Sequence, residues 1–496
     1  MNALLLAFLV LFLLGALNVE RLLPRARPRS HGHSRWASFF DAPRLGWPSW
    51  EGRMRPDGIV LGWFGGRLLQ APAEDNVLTF GVQRSGKTST VVVPTLLGWR
   101  GAVVATSTKE ELVRLTGGYR ARLGPVWVFA PLDDDPSWVT ELGLRPAVWN
   151  PVASVTSTAV AMEIADLFTS EGKQGPAAHW YLSASSLITG LLLAERARGG
   201  DLRGVLGRLN RMPLTAYVGL ASELESTDAG ELLTAFAQTP EREAGSIAST
   251  ARSALSLWLD IRVAQATRAE VAEAFNPGEL LSAGGTLYLV APAEEAERGR
   301  PLFSALLQTI LRLATFRARA QGGVLNPRLL LALDEVANFA RIPRLASYVS
   351  TGPGQGIQTL LCFHDLAQLE HGYGHDQART VWNNCRARLL LPGQGDLRTL
   401  ELFSKAIGDE TRSYDLLSWG ADGRQNRSQQ QTGQPLAPSD ELRRMRQPVL
   451  LYASAPPAKL QARRWDQVPS WRRAIESSRV PMPGPIQAGA AGRHRT

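Results

Sequence analysis

Two groups of residues have the types and spacing to do chemistry on a nucleotide. The first is GVQRSGKTST, in which Gly81, Gly86, Lys87 and Thr88 satisfy G-x-x-x-x-G-K-[ST]. Such a loop turns backbone N–H groups inward at the positive end of a helix dipole, which suits a polyphosphate. Lys87 is expected to reach the β- and γ-phosphates of ATP, and the Thr88 hydroxyl to bind Mg²⁺. Ser85 and Ser89 complete the expected nucleotide-binding set. The second group is Asp334–Glu335, which ends the apolar run LLLAL. There Asp334 is expected to hold Mg²⁺ through water, and Glu335 to orient or deprotonate the attacking water. Lys87 and Glu335 are then the candidate catalytic residues. An acidic pair at a strand end is common, and it gains its weight here from the phosphate loop upstream.

These residues need strands to carry them. NVLTF before the loop and GAVVATS after its helix read as buried strands. Thr106 or Ser107 is expected to cap the helix that follows. Trp127–Ala130, Thr286–Val290, Leu329–Leu333, Thr359–Phe363, Arg388–Leu391 and Val449–Tyr452 are further short apolar runs, mostly separated by helical stretches. Alternation of this kind implies an α/β fold with a mostly parallel sheet covered on both faces. Between Val152 and Phe275 every periodic segment is helical, which predicts an all-α insertion of domain size. IVLGWFGGRLLQ, with Gly65–Gly66 between apolar runs, reads as a β-hairpin. Leu302–Ala320 reads as a helix, the Gln- and Ser-rich stretch 413–439 as a mobile loop, and Pro469–Thr496 as a disordered tail.

At 496 residues the chain is too long for one core. With 44% hydrophobic and 20% charged residues it is globular rather than disordered. The net charge of +9 suits a polyanion or an anionic membrane surface. Its two cysteines, Cys362 and Cys385, make no disulfide framework or zinc spacing. They are expected as buried fillers in a reducing compartment.

Residues 1–19 contain no charged side chain. As a helix they would be about 28 Å long, close to the bilayer core of about 30 Å. A secretory signal peptide would want a basic segment ahead of the apolar run, and none is there. Arg21, Arg25, Arg27, Arg29 and Arg35 follow, so the positive-inside rule places the rest of the chain in the cytoplasm. The arginines also suit attraction to membrane lipid. Trp36, Trp47 and Trp50 are expected either at the headgroups or against the motor. The expected division is a transmembrane anchor (1–19), a basic juxtamembrane linker (20–58), a motor domain in two parts (59–150 and 276–465) around the all-α insertion (151–275), and a tail (466–496).

Taken together, GVQRSGKTSTVVVPTLL, LLLALDEVANFARIPRL, HDLAQLEHGYG and NNCRARLLLPGQGDLRTLELFSKAIGDET resemble the TraG- and TraD-like type IV secretion coupling proteins. The similarity runs from about Ile59 to Trp465. It implies a RecA-like P-loop motor interrupted by an all-α domain and tethered to the inner membrane by an N-terminal helix. It also implies a homo-hexamer that uses ATP to hand single-stranded DNA with its relaxase, or protein effectors, to the channel components of a type IV secretion system. On this resemblance Gln368 matches the second glutamine of a Q-S-x-x-Q-L segment, and His364 stands where the first would be, so both are candidate phosphate sensors. Where such proteins often read G-R-x-x-G, this chain has Gly352-Pro353-Gly354-Gln355-Gly356. An arginine that would reach a neighbouring subunit's phosphate is therefore missing there, and Arg341, Arg344, Arg386 and Arg388 are the candidates to replace it. Three functions compete: a motor for DNA and relaxase, a nucleotide-dependent docking protein for protein effectors with little ATPase activity of its own, and a soluble helicase-like motor. The apolar start argues against the third.

Overall fold

The computed structural model describes residues 32–50, 53–172, 176–268, 274–339, 342–419 and 425–478. They fall into two units, one within Trp36–Phe403 and Ser439–Thr496, the other within Met1–Arg35 and Ser404–Pro438.

The larger unit opens with three antiparallel strands, β1 (Trp47–Ser49), β2 (Ile59–Phe64) and β3 (Arg67–Ala71), in the order β1-β3-β2. The expected hairpin is β2–β3. The linker before it is less open than its composition predicts. Ser38 donates from its backbone N–H and its hydroxyl to the Asp41 carboxylate, at 2.8 and 2.9 Å, capping a short turn over Phe39–Arg44. Leu45 is then buried, and β1 pairs with β3. Trp47 lies in that strand, and Arg67 stacks over the Trp50 ring.

The main sheet contains, in chain order, β4 (Val77–Phe80), β5 (Ala102–Ser107), β6 (Val126–Phe129), β7 (Arg145–Pro146), β8 (Thr286–Val290), β9 (Leu329–Leu333), β10 (Ile357–Phe363) and β11 (Ala387–Leu390). After the small unit's β12 (Asp409–Trp419) and β13 (Gln425–Pro435), it is completed by β14 (Val449–Tyr452) and β15 (Ala458–Lys459). The spatial order is β15-β14-β11-β4-β10-β9-β5-β8-β6-β7. From β11 to β7 every pairing is parallel, and β14 and β15 are antiparallel additions at one edge. β4, β5, β6, β8, β9 and β10 are buried along their whole length, which is why they read as unbroken apolar runs rather than alternating ones. Cys362 and Cys385 are buried in this core.

Arg120 is a fully buried cation with no carboxylate among its hydrogen-bond partners. Its guanidinium donates to the carbonyls of Leu96, Trp99 and Gly101 and to the Thr286 hydroxyl. It thereby caps the C-terminus of the helix that begins at the phosphate loop, and burial pushes it down to about 10. At that helix's other side, the Val60 N–H donates to the Thr95 hydroxyl at 3.0 Å, fixing the hairpin to it.

Between β7 and β8 the described elements are all helical, from the turn Val152–Ser154 to the helix Pro277–Ser282. They belong to the same unit as the sheet, so the contacts draw no boundary at residue 151 or 275. Two ion-pair connections also cross between the insertion and the rest of the unit. Arg312 meets Glu163 at 2.7 Å, and Asp260 binds both Arg262 (2.7 Å) and Arg298 (2.8 Å). Arg298 and Arg312 lie on the helix Ala293–Ala320. That helix starts nine residues before Leu302, because AEEAERGR is polar yet helical, with Glu295–Arg298 and Glu297–Arg300 paired one turn apart.

Three further expectations are corrected. The stretch 413–439 is no loop: β12 and β13 pair through eleven residues each in the small unit. The pairing rests on the backbone, and a strand of Gln, Ser and Thr gives no hydropathic signal. The tail begins later than Pro469. Pro469–Glu476 is a helix whose Trp471 and Ile475, four residues apart, are buried, with Trp471 6.1 Å from the Trp63 ring. Neither Thr106 nor Ser107 caps the helix Glu111–Ala121. Thr106 donates to the Asp334 carbonyl at 2.7 Å, and Ser107 to the Lys109 carbonyl. The anchor over residues 1–19 lies outside the described residues, among which no helix is long and apolar enough to cross a membrane.

Candidate nucleotide site

β4 ends at Phe80, and the Gly81 N–H donates to the Phe363 carbonyl of β10 at 3.0 Å, so the phosphate loop starts from a fixed point. A side chain at Gly81 would meet Ser85 Oγ at 2.5 Å. Gly86 has φ +95°, where L-residues are strained, and the helix starts directly after it as a wide turn over Lys87–Val92 before becoming α-helical over Val93–Gly98. Buried Lys87 turns its ammonium back on the loop, donating to the carbonyls of Gly81 and, at 3.4 Å, Val82. Ser89 donates to the Gly86 carbonyl at 3.4 Å. The Ser85 hydroxyl is buried with no partner among the described residues.

β9 brings the acidic pair to the same end of the sheet, one strand away across β10. Thr88 donates to Asp334 Oδ2 at 2.5 Å. The other carboxylate oxygen, Oδ1, is buried without a partner among the described residues. Burial pushes the Asp334 carboxyl up, while the Thr88 hydroxyl and the Lys87 ammonium pull it back. A hard divalent cation fits this arrangement. Mg²⁺ takes oxygen ligands and keeps several waters, so a hydroxyl and one carboxylate beside a phosphate suffice. Among the described residues no larger cluster of metal ligands exists.

Glu335 sits at φ +53°, a left-handed conformation that a glutamate adopts only where its surroundings hold it. His364, at the end of β10, places Nε2 3.8 Å from Glu335 Oε1, within ion-pair range but too long for a hydrogen bond. This neighbour holds the Glu335 carboxyl below its usual range against partial burial, with Thr108 and Lys87 acting in the same direction. Glu335 is therefore ionised at neutral pH.

Lys87, Thr88, Asp334 and Glu335 line one cleft of about 710 Å³, together with Ser85, Gly86 and Ser89. His364 and Gln368 do not line it. The His364 N–H donates to Gln368 Oε1 at 2.7 Å, and Gln394 donates to the His364 carbonyl at 2.8 Å. Gln368 thus braces the backbone of the residue beside Glu335, and His364 reaches the cleft only through Glu335. Of the arginine candidates, Arg341 lies outside the described residues. Arg386 pairs with Asp75 at 3.3 Å, before β4, at the end of the sheet away from the phosphate loop. Arg388, on β11, is held over the Trp382 ring and donates to the Trp382 carbonyl. Arg344 lines other cavities. Sequence reasoning missed Gln394, and it missed Arg464 and Trp465, which line the cleft from the far end of the chain. No local motif marks them.

A family model described as Type IV secretory system Conjugative DNA transfer matches residues 35–470. The conjugal transfer protein TraG of Escherichia coli is 27% identical over 474 residues, which cover 85% of this chain and 72% of that protein. Protein VirD4 of Rhizobium rhizogenes is 25% identical over 490 residues, covering 94% and 70%. The plasmid coupling protein TrwB, in complex with a non-hydrolysable ATP analogue, superposes with a TM-score of 0.62 at 18% identity, covering 88% of this chain and 96% of that one. Another TrwB structure holds ADP and Mg²⁺. At this identity the superposition shows the fold.

Proposed function

As the chain belongs to the type IV secretory system conjugative DNA transfer family, we propose that it is the ATP-hydrolysing coupling protein of a conjugation or secretion channel. In this reading it recruits single-stranded DNA with its bound relaxase and drives it toward the channel components. It works as a homo-hexamer, with residues 1–19 spanning the inner membrane, its basic flank against lipid, and the motor in the cytoplasm.

The observation that carries the reading is the single cleft in which Lys87 and Thr88 face Asp334 and Glu335. Lys87 leaves its carbonyl contacts to neutralise the β- and γ-phosphates. Thr88 and Asp334 Oδ1 would hold Mg²⁺, which when bound would supply positive charge against the transferring phosphoryl group. Ionised Glu335, fixed by its backbone conformation, orients a water and accepts its proton. The test is the ATPase rate of the full chain in detergent with and without single-stranded DNA. Stimulation by DNA supports the motor, and absence of hydrolysis under both conditions sinks it.

A second reading is a docking protein for protein effectors, in which nucleotide only organises the ring. The segment Pro353–Gln355 favours it, since this short turn offers no cation where a trans-acting arginine is expected. DNA-independent, very slow turnover with unimpaired nucleotide binding would select it.

A further inference from the structure

The cleft has two chemically different halves. One carries the phosphate loop, Asp334 and Glu335. The other presents Leu115 from the helix Glu111–Ala121 and Trp465 with Arg464 beside it, the two apolar side chains half-buried, while Val93 and Leu112 behind them belong to the fully buried core. A polyphosphate and its cation have no use for a half-exposed leucine and an indole. At about 710 Å³ the cleft falls within the roughly 300–1,000 Å³ of sites that enclose a small molecule.

Trp465 is held firmly enough to act as a platform. It begins a tight turn over Trp465–Gln467, closed by the Arg464 N–H donating to Gln467 Oε1 at 3.0 Å and by the Gln467 N–H donating to the Arg464 carbonyl. The helix Pro469–Glu476 follows at once, anchored by buried Trp471 and Ile475. Trp465 itself packs half-buried against the core. Arg464 is exposed and shares its charge with Asp466 at 3.1 Å.

We infer that Trp465 is the stacking platform for the nucleobase of the bound nucleoside triphosphate, with half-buried Leu115 as the apolar side chain of the base subsite. This rests on the reading of the phosphate loop given above and adds the ligand's other end to it. Stacking on an indole reads a π-face and its area rather than hydrogen-bonding edges. The site therefore prefers purines to pyrimidines and separates adenine from guanine weakly.

The experiment measures binding of Mg·ATPγS and of Mg·tripolyphosphate, which lacks a base, to the full chain in detergent. Wild type, Trp465→Ala and Trp465→Phe are compared by calorimetry. Trp465→Ala is expected to weaken ATPγS at least about tenfold while leaving tripolyphosphate within about twofold, and Trp465→Phe to keep most of the affinity. Unchanged ATPγS binding by Trp465→Ala overturns the inference. So does an equal loss of both ligands, because the residue would then act through the fold. A wild-type chain that binds neither ligand overturns the phosphate-loop reading itself.

Discussion

Thr88 donates to Asp334 across 2.5 Å, joining the first turn of the phosphate helix to the end of β9 although 246 positions separate them in sequence. β10 lies between β4 and β9, so this hydrogen bond bridges two strands that do not pair. It leaves one buried Asp334 oxygen without a partner among the described residues, in position for a cation. Thr88→Val keeps the side chain's shape and removes the bridge. Its loss takes away the strongest influence holding the Asp334 carboxyl down, so Asp334 protonates more readily. Nucleotide affinity in Mg²⁺ should fall at least about tenfold, the size of one lost ligand or charge-assisted hydrogen bond. Affinity in EDTA should change little. Paired titrations with and without Mg²⁺ decide, and an equal loss in both would remove Thr88 from the metal site.

Lys87→Ala should abolish ATP turnover and leave the fold intact. Its partners are phosphate-loop carbonyls rather than apolar side chains, so the truncation removes charge opposite the phosphates without taking a side chain out of the apolar core. Hydrolysis at the wild-type rate, with an unchanged circular dichroism melt, would contradict the motor assignment.

Arg120→Leu tests the far end of the same helix. The substitution leaves the Trp99 and Gly101 carbonyls and the Thr286 hydroxyl buried without their donor. Unsatisfied buried groups cost roughly 1–3 kcal/mol each, so the expected loss of stability is at least about 3 kcal/mol. Denaturant midpoints measure it, and a loss under about 1 kcal/mol would show that water replaces the guanidinium.

Residues 1–19 should stay attached in the mature protein and span the membrane once. Mass spectrometry of the mature N-terminus, with protease accessibility in spheroplasts, checks both points. A chain that begins beyond Val19, or a body digested from outside, would contradict this.

The strands that carry the site were legible because they are buried along their whole length and so read as unbroken apolar runs. LLLAL followed by Asp-Glu, and VLTF followed by the glycine loop, need no tertiary information to read. What escaped depends on distant partners. The β12–β13 hairpin is held by backbone pairing between polar residues. Trp471 and Ile475 reveal their burial only against Trp63 and the sheet. Trp465 reaches the cleft because β14 and β15 return the chain to it, and no residue spacing encodes that return. Gln368 was legible as a position but not as a role: its side chain spends its oxygen on the His364 amide.

The pairing of Glu335 with His364 yields the sharpest prediction. Glu335→Gln keeps the side chain's shape and removes the proton acceptor, so the variant should bind nucleotide normally while turnover falls by about 10²–10⁴, the usual size of general-base catalysis. His364→Gln acts on the same carboxylate from outside. The histidine is the largest influence lowering the Glu335 carboxyl, and a carboxylate with a lowered value stays ionised further into acid. Removing the histidine therefore lets Glu335 protonate at higher pH. The acid limb of the pH–rate profile should move upward in His364→Gln, while the rate on the plateau above it changes little. A simple packing role for His364 would lower the plateau and leave the limb where it was. The measurement is a pair of pH–rate profiles at saturating ATP and Mg²⁺, with DNA present. Identical profiles would show that His364 does not set the ionisation of Glu335 during turnover, and an active Glu335→Gln would assign the proton to another acceptor.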